Sequence, residues 1–268
     1  MRDFFKIPLF LCYPFIMERI LEELKHRKYL KGIKIEFESE VVSDCELNYL
    51  SSLLKNLDID LTVKLGGATS LLDVKKARDL NAKAIVAPMV ESSYTVKKFL
   101  STVKTIYGNV FPDLYLNIET TNAFTYLYEI FEVSQNIKGM VLGRSDLTSS
   151  LGMDKSTVNC QKIEEYASML QGFCHTNGKS LIIGGNVDLM SLPFFKRLIF
   201  LSGFETRKVI FDSSLVKNSN DFEENLILAF KFELEWIKNK EYITKDDEIR
   251  LQSLNQKIEV LDYYKNLA

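Results

Sequence analysis

Two acidic residues stand close behind apolar runs. Glu119 follows Asp113-Leu-Tyr-Leu-Asn-Ile, and Asp146 lies three residues beyond Gly139-Met-Val-Leu-Gly. Short apolar runs bounded by turn-forming residues read as buried strands. Neighbouring parallel strands lie about 4.8 Å apart, so carboxylates emerging at equal height can share one divalent cation. Two protein ligands, with the other positions left to water and substrate oxygens, suit magnesium. Such an ion polarises a ketone or stabilises an enolate. The competing reading is two unrelated acids in the first turns of helices, favoured there by the helix dipole. Spacing leaves both open.

Other run ends carry further candidates. Glu36, Glu38 and Glu40 alternate after Ile33 and Ile35; Lys64 precedes Gly66-Gly67; Glu91 follows Pro88; Arg144 and Ser145 sit just ahead of Asp146; Asp212 ends the last run. Glu91 is a base, or a group orienting Lys64, or a loop-surface acid. Arg144 reaches a carboxylate or phosphate, or covers the rim through salt bridges. Gly66-Gly67 permits close backbone approach to a ligand or a tight strand–helix turn, and Gly184-Gly185 does the same.

These residues need a frame. Strand patterns cover Gly32–Phe37, Leu61–Leu65, Lys83–Met89, Asp113–Ile118, Gly139–Gly143, Ser180–Ile183 and Arg207–Phe211. Helical spacing fills most of the intervals, as at Pro14–Leu30, Asp44–Leu54, Tyr94–Tyr107 and Cys160–Cys174, while the stretch from Gly143 to Gly152 reads as a loop. This alternation is a parallel α/β signature. No GxGxxG or GxxxxGK[ST] follows an early strand, which weighs against a doubly wound nucleotide-binding sheet. Chemistry-bearing residues after strand upon strand suit a TIM barrel. An eighth strand is not legible; it falls in Phe4–Leu11, or the barrel is irregular. The chain reads as a single domain, 1–268, with an N-terminal helical segment (1–31), a barrel core (32–215) and C-terminal helices (216–268).

Composition narrows the partners. The 268 residues carry 34 basic and 36 acidic side chains, a net charge of −2, so no polycation for nucleic acid or a membrane surface is present. Lysines outnumber arginines 26 to eight, leaving few planar forks for gripping a carboxylate. Cys12, Cys45, Cys160 and Cys174 are scattered and read as reduced thiols. His26 and His175 fall on helices, away from strand ends. Pro8 and Pro14 interrupt the apolar start of the chain, which argues against a signal segment and for a cytoplasmic protein.

The strings VKLGG, APMVES, NIET and GRSDLTSSLG, in this order, resemble the HpcH/HpaI aldolase and citrate lyase β-subunit family of the phosphoenolpyruvate/pyruvate barrel superfamily. The resemblance runs from Ile33 to Asp212. It implies an α/β fold, a modified TIM (β/α)8 barrel with a C-terminal helical extension here, and a homo-oligomer. It also implies Mg2+ or Mn2+ holding a 2-oxo acid, a phosphoenolpyruvate-like or an acyl substrate while a carbon–carbon bond breaks or forms through a metal-stabilised enolate. The family's metal-binding glutamate and aspartate fall on Glu119 and Asp146, and its acid after the first strand on Glu38. Two departures stand out. The substrate-carboxylate arginine is Lys64, which neutralises charge without a bidentate fork, and the following histidine or aspartate position is Ser39, which cannot relay a proton as imidazole does. Lys64, Gly66, Gly67, Arg144 and Ser145 are therefore the substrate-binding candidates, and Lys64, Glu38, Glu91 and Arg144 the catalytic ones. An acyl-thioester or other enolate enzyme on the same barrel is the alternative, as is a non-catalytic binding or scaffold barrel. Glu119 and Asp146 facing one cavity favour an enzyme; helices covering that rim favour a scaffold.

Overall fold

The computed structural model describes residues 14–265, the side chains of 14 and 262–265 excepted. The suggested strand at Phe4–Leu11 lies outside the described residues. The elements run α1 (Pro14–His26), β1 (Leu30–Glu36), α2 (Asp44–Asn56), β2 (Leu61–Lys64), α3 (Leu71–Asp79), β3 (Ala84–Ala87), α4 (Ser93–Tyr107), β4 (Asp113–Ile118), α5 (Thr121–Thr125), α6 (Leu127–Glu132), β5 (Gly139–Gly143) and α7 (Arg144–Ser150). There follow α8 (Gln161–Thr176), β6 (Ser180–Gly184), α9 (Ser191–Lys196), β7 (Gly203–Glu205), β8 (Val209–Asp212), α10 (Ser219–Lys238) and α11 (Lys245–Lys265). The eight strands close into a barrel in sequence order.

Strands β1 to β7 are parallel, but β8 runs antiparallel to both β7 and β1. The cause is connection length. Only Thr206, Arg207 and Lys208 join β7 to β8, whereas a parallel crossover needs about a dozen residues or more. Thr206 closes the hairpin, donating its N–H to the Val209 carbonyl at 2.9 Å and accepting the Val209 N–H on Oγ1 at 3.1 Å. The eighth strand is thus completed by Gly203-Phe-Glu205, in a stretch with a helical neighbour and only three residues of pairing. One consequence corrects the sequence reading: Asp212 lies at the opposite end of the barrel from the site, bonded to the Tyr29 carbonyl at 2.8 Å, and the hairpin lifts Arg207 and Lys208 to the rim.

The reversal carries into α10. Its start lies beside the foot of β1, where Tyr29 Oη donates to Asp221 at 2.7 Å; past its end, the Glu241 N–H donates to Glu46 at the head of α2, at 2.6 Å. Ser43, Ser70, Ser92 and Thr120 each follow a strand and cap the next helix by accepting a backbone N–H. Residues 144–150 form α7 rather than a loop.

The main core fills the space between barrel and helices. A separate cluster of Val86, Val141, Ile182 and Ile210, with Tyr115, plugs the barrel interior. Strand alternation turns Ile33 and Ile35 of β1 to the helices and Lys34 and Glu36 inward. Polar residues therefore sit within the barrel above an apolar plug. Among the described residues no helix is long and apolar enough to cross a membrane.

Candidate active site

A cavity of about 710 Å³ opens at the C-terminal end of β1–β6, and both Glu119 and Asp146 line it. Glu119 directly follows β4 and is only 1% exposed. Its Oε1 accepts the Met89 N–H at 3.0 Å and its Oε2 accepts Asn117 Nδ2 at 2.7 Å. Met89 adopts φ 50°, a left-handed conformation uncommon for a non-glycine residue, at the turn that presents this N–H. Glu119 is not a helix cap, since Thr120 takes that role for α5. Asp146 is exposed in the first turn of α7, at the rim.

Burial pushes the Glu119 carboxyl up to about 6, against Lys64 and the Met89 N–H, with Asp146 and Glu38 acting in the same direction as burial. Lys64 Nζ stands 3.9 Å from Glu119 and 2.6 Å from Glu38. Burial works against the Lys64 ammonium, but Glu119, Glu38 and Glu36 raise its pKa overall. Lys64 is thus shared among acids, and the charge on Glu119 is weakly balanced by the chain itself.

Gly143 makes this geometry possible. A Cβ at that position would collide with Oε2 and Cβ of Glu119. Gly143→Ala is expected to displace the carboxylate and lower turnover about a hundredfold, as misplacement of a reacting group by about 1 Å can. Steady-state kinetics beside a thermal melt would check it; unchanged kcat would show that the close approach is unimportant.

A second network crosses the mouth from β1 to the β7–β8 hairpin. Arg207 bonds Glu36 at 2.8 Å, Glu40 at 3.2 Å and Ser39 Oγ at 3.0 Å, while Ser39 Oγ donates to Glu36 at 2.7 Å. Lys208 pairs with Glu40, and Lys34 with Glu205 inside the barrel. Burial would raise the Glu36 carboxyl, but Arg207, Lys34 and the Ser39 bond outweigh it and hold it down to about 2. Because this folded-state value is depressed, Glu36 stabilises the fold fully above about pH 4.5, and that contribution fades as pH falls towards 2. The urea midpoint is expected to drop across that window, and Glu36→Gln to flatten the drop; an unchanged slope would contradict the pairing.

The remaining candidates are placed as follows. Lys64, Glu38, Ser145 and Asp146 line the cavity with Glu119. Glu91 is not among the lining residues; it accepts Thr120 Oγ1 at 2.7 Å and so braces the residue after Glu119. Gly66 and Gly67 do not line it either: the Gly66 N–H donates to Asp73 at 2.8 Å, and the turn packs on the Phe37 carbonyl. Arg144 is fully buried beneath the rim, not in the cavity. It donates to the carbonyls of Gly184 at 3.0 Å and Gly185 at 2.9 Å and to Asn159 at 2.5 Å, and it lies over the Phe194 and Phe195 rings. Burial pushes its pKa down to about 9, with Asp188 opposing. The expected ligand-facing arginine is therefore a clamp on the Gly184-Gly185 turn. His26 and His175 end α1 and α8, before β1 and β6, at the far end of the barrel.

Sequence reasoning missed Lys34 and Arg207. Alternation in Leu30–Glu36 was the signal for Lys34, since apolar Ile33 and Ile35 packed against the helices leave Lys34 to the interior. The signal for Arg207 was the three-residue spacer.

Residues 58–171 match the HpcH/HpaI aldolase/citrate lyase family. The segment holds Lys64, Glu119 and Asp146 but neither Glu38 nor Arg207. Three solved structures share the barrel. An HpcH/HpaI aldolase from Desulfitobacterium hafniense DCB-2 is 16% identical with TM-score 0.59, over 80% of this chain and 88% of that one. An HpcH/HpaI aldolase/citrate lyase family protein from Burkholderia cenocepacia J2315 is 13% identical with TM-score 0.58, over 78% and 90%. The citrate synthase SbnG is 17% identical with TM-score 0.57, over 72% and 81%. No curated protein matches the chain. Among the described residues no group of three or more His, Cys, Asp or Glu side chains is arranged to hold a metal.

Proposed function

We propose that the chain is a divalent-metal-dependent carbon–carbon lyase of the aldolase type, acting on a 2-oxo acid. The observation that carries this reading is Glu119: a buried carboxylate, held by two donors, that lines one open cavity with Asp146. These hard oxygen donors fit a magnesium or manganese ion, which takes one or two carboxylates and leaves its other positions open. The weakly balanced charge on Glu119 fits the same ion, because the nearest cation, Lys64, is engaged by Glu38. When bound by Glu119 and Asp146, the ion would supply positive charge to the ketone and carboxylate oxygens of the substrate.

The chain's own groups divide the remaining work. Lys64, kept charged by its acidic neighbours, neutralises the substrate carboxylate and positions it without a fork. Glu36 and Glu205 are buried against Arg207 and Lys34, whereas Glu38, paired with Lys64, is the more exposed cavity acid and the one that moves a proton at the carbon beside the ketone. Its side chain is 34% exposed, so solvent reaches it. Ser39, tied to Glu36 and Arg207, fixes that network instead of relaying protons.

The test is exchange of pyruvate methyl protons with deuterium oxide, followed by NMR. Exchange is expected with added magnesium or manganese and not in chelator. Chelator-resistant exchange, or no exchange of any 2-oxo acid with either ion, would overturn the reading.

A further inference from the structure

The cavity is larger than a three-carbon acid needs, and α11 lines it with two cations, Arg250 and Lys257. Four of the cavity's basic side chains have a carboxylate in direct contact: Lys34 has Glu205, Lys64 has Glu38, Arg207 has Glu36, and Arg250 has Glu233. Lys257 differs. Its Nζ donates to Asn186 Oδ1 at 3.0 Å and lies over the Phe230 ring, 5.3 Å from the centroid, so its partners are an amide oxygen and a ring face and not a carboxylate. Among the described residues it makes no ion pair.

The acids near it are committed elsewhere. Both Glu233 oxygens accept Arg250, at 2.5 and 2.9 Å, and Asp188 accepts Ser191 Oγ at 3.2 Å. Burial and the neighbouring Arg250 lower the Lys257 pKa, with Asp188 and Glu233 opposing, so a bound anion would relieve an unfavourable charge. Lys155, exposed just beyond α7, also lines the cavity and makes no ion pair among the described residues. Its neighbour Ser156 adds a hydroxyl to the same wall.

We propose that Lys257, supported by Lys155, holds a second anionic group at the far end of the substrate, so that the substrate is a 2-oxo acid with a terminal carboxylate or phosphate. This rests on the 2-oxo acid reading of the Glu119 end. A lysine supplies a point charge with three donors and accepts either group. Replacing a charge-assisted bond by an uncharged contact is expected to change affinity about tenfold or more.

The experiment titrates the full chain, with manganese present, against six-carbon 2-oxo acids ending in methyl, carboxylate or phosphate, with oxalate as the short reference. The charged tails are expected to bind about tenfold or more tightly than the methyl tail, and the better of the two names the terminal group. Lys257→Met, which keeps a side chain of similar length but removes the charge, is expected to remove the preference, and Lys257→Arg, which keeps the charge, to retain it. Lys155→Gln, at an exposed position without packing, is expected to reduce it and gives a second reading should Lys257→Met not fold. Equal binding of all three tails alongside binding of oxalate, or a preference that survives both Lys257→Met and Lys155→Gln, would overturn the second subsite alone. Failure of oxalate and every 2-oxo acid to bind would overturn both readings.

Discussion

Glu119→Gln is expected to reduce metal-dependent proton exchange by more than about a hundredfold, since even groups that merely orient a metal ligand cost 10–100-fold when lost. The exchange is nearly isosteric and removes one charge from a site that is 1% exposed. The side chain meets two donors, the Met89 N–H and Asn117 Nδ2, so the glutamine amide nitrogen faces a donor unless the Asn117 amide turns its unpartnered Oδ1 towards it. That mismatch costs about 1–3 kcal/mol, offset in part because a buried charge is gone. The melting temperature should therefore move by only a few degrees while exchange collapses. A variant that keeps wild-type exchange would remove Glu119 from the chemistry; loss of exchange with a large fall in melting temperature would assign it to the fold.

Arg144→Met carries the largest expected effect on stability. Methionine approximates the length of the stem but leaves the Gly184 and Gly185 carbonyls and Asn159 Oδ1 without their donor. Contact with the Phe194 and Phe195 rings is weakened too. The desolvated charge returns something on removal, which is why the net loss is set at about 3 kcal/mol. For a chain of this size that is a fall of about 6–12 °C in a thermal melt. The Gly184-Gly185 turn and Asn186 form part of the cavity wall, so KM is expected to rise in the surviving fold. An unchanged melt would mean the clamp is redundant.

Much of the site was legible because barrel strands bring their following residues to one rim. Glu119, Asp146, Lys64 and Glu38 stand after apolar runs, and the structure brings all four to one cavity. The place of Arg144 beside Asp146 says nothing about direction: helix α7 begins at Arg144, and the side chain turns under the rim. Glu91 differs for a similar reason: it follows a strand, but its carboxylate accepts Thr120 Oγ1 and it is not among the residues that line the cavity. The hairpin of β7 and β8 was hidden by its brevity. A three-residue strand has no usable period, and once β8 was read as parallel, Arg207 fell at the wrong end of the barrel. The arginine missing from position 64 thus has a counterpart at the mouth, delivered by a reversed strand and engaged with Glu36 and Glu40.

Titration of the full chain with manganese in the presence of oxalate tests the central claim most directly. One ion per chain is expected to bind, with affinity lost in both Glu119→Gln and Asp146→Asn. An ion held as tightly by either variant as by the wild type would contradict the pairing of these two carboxylates.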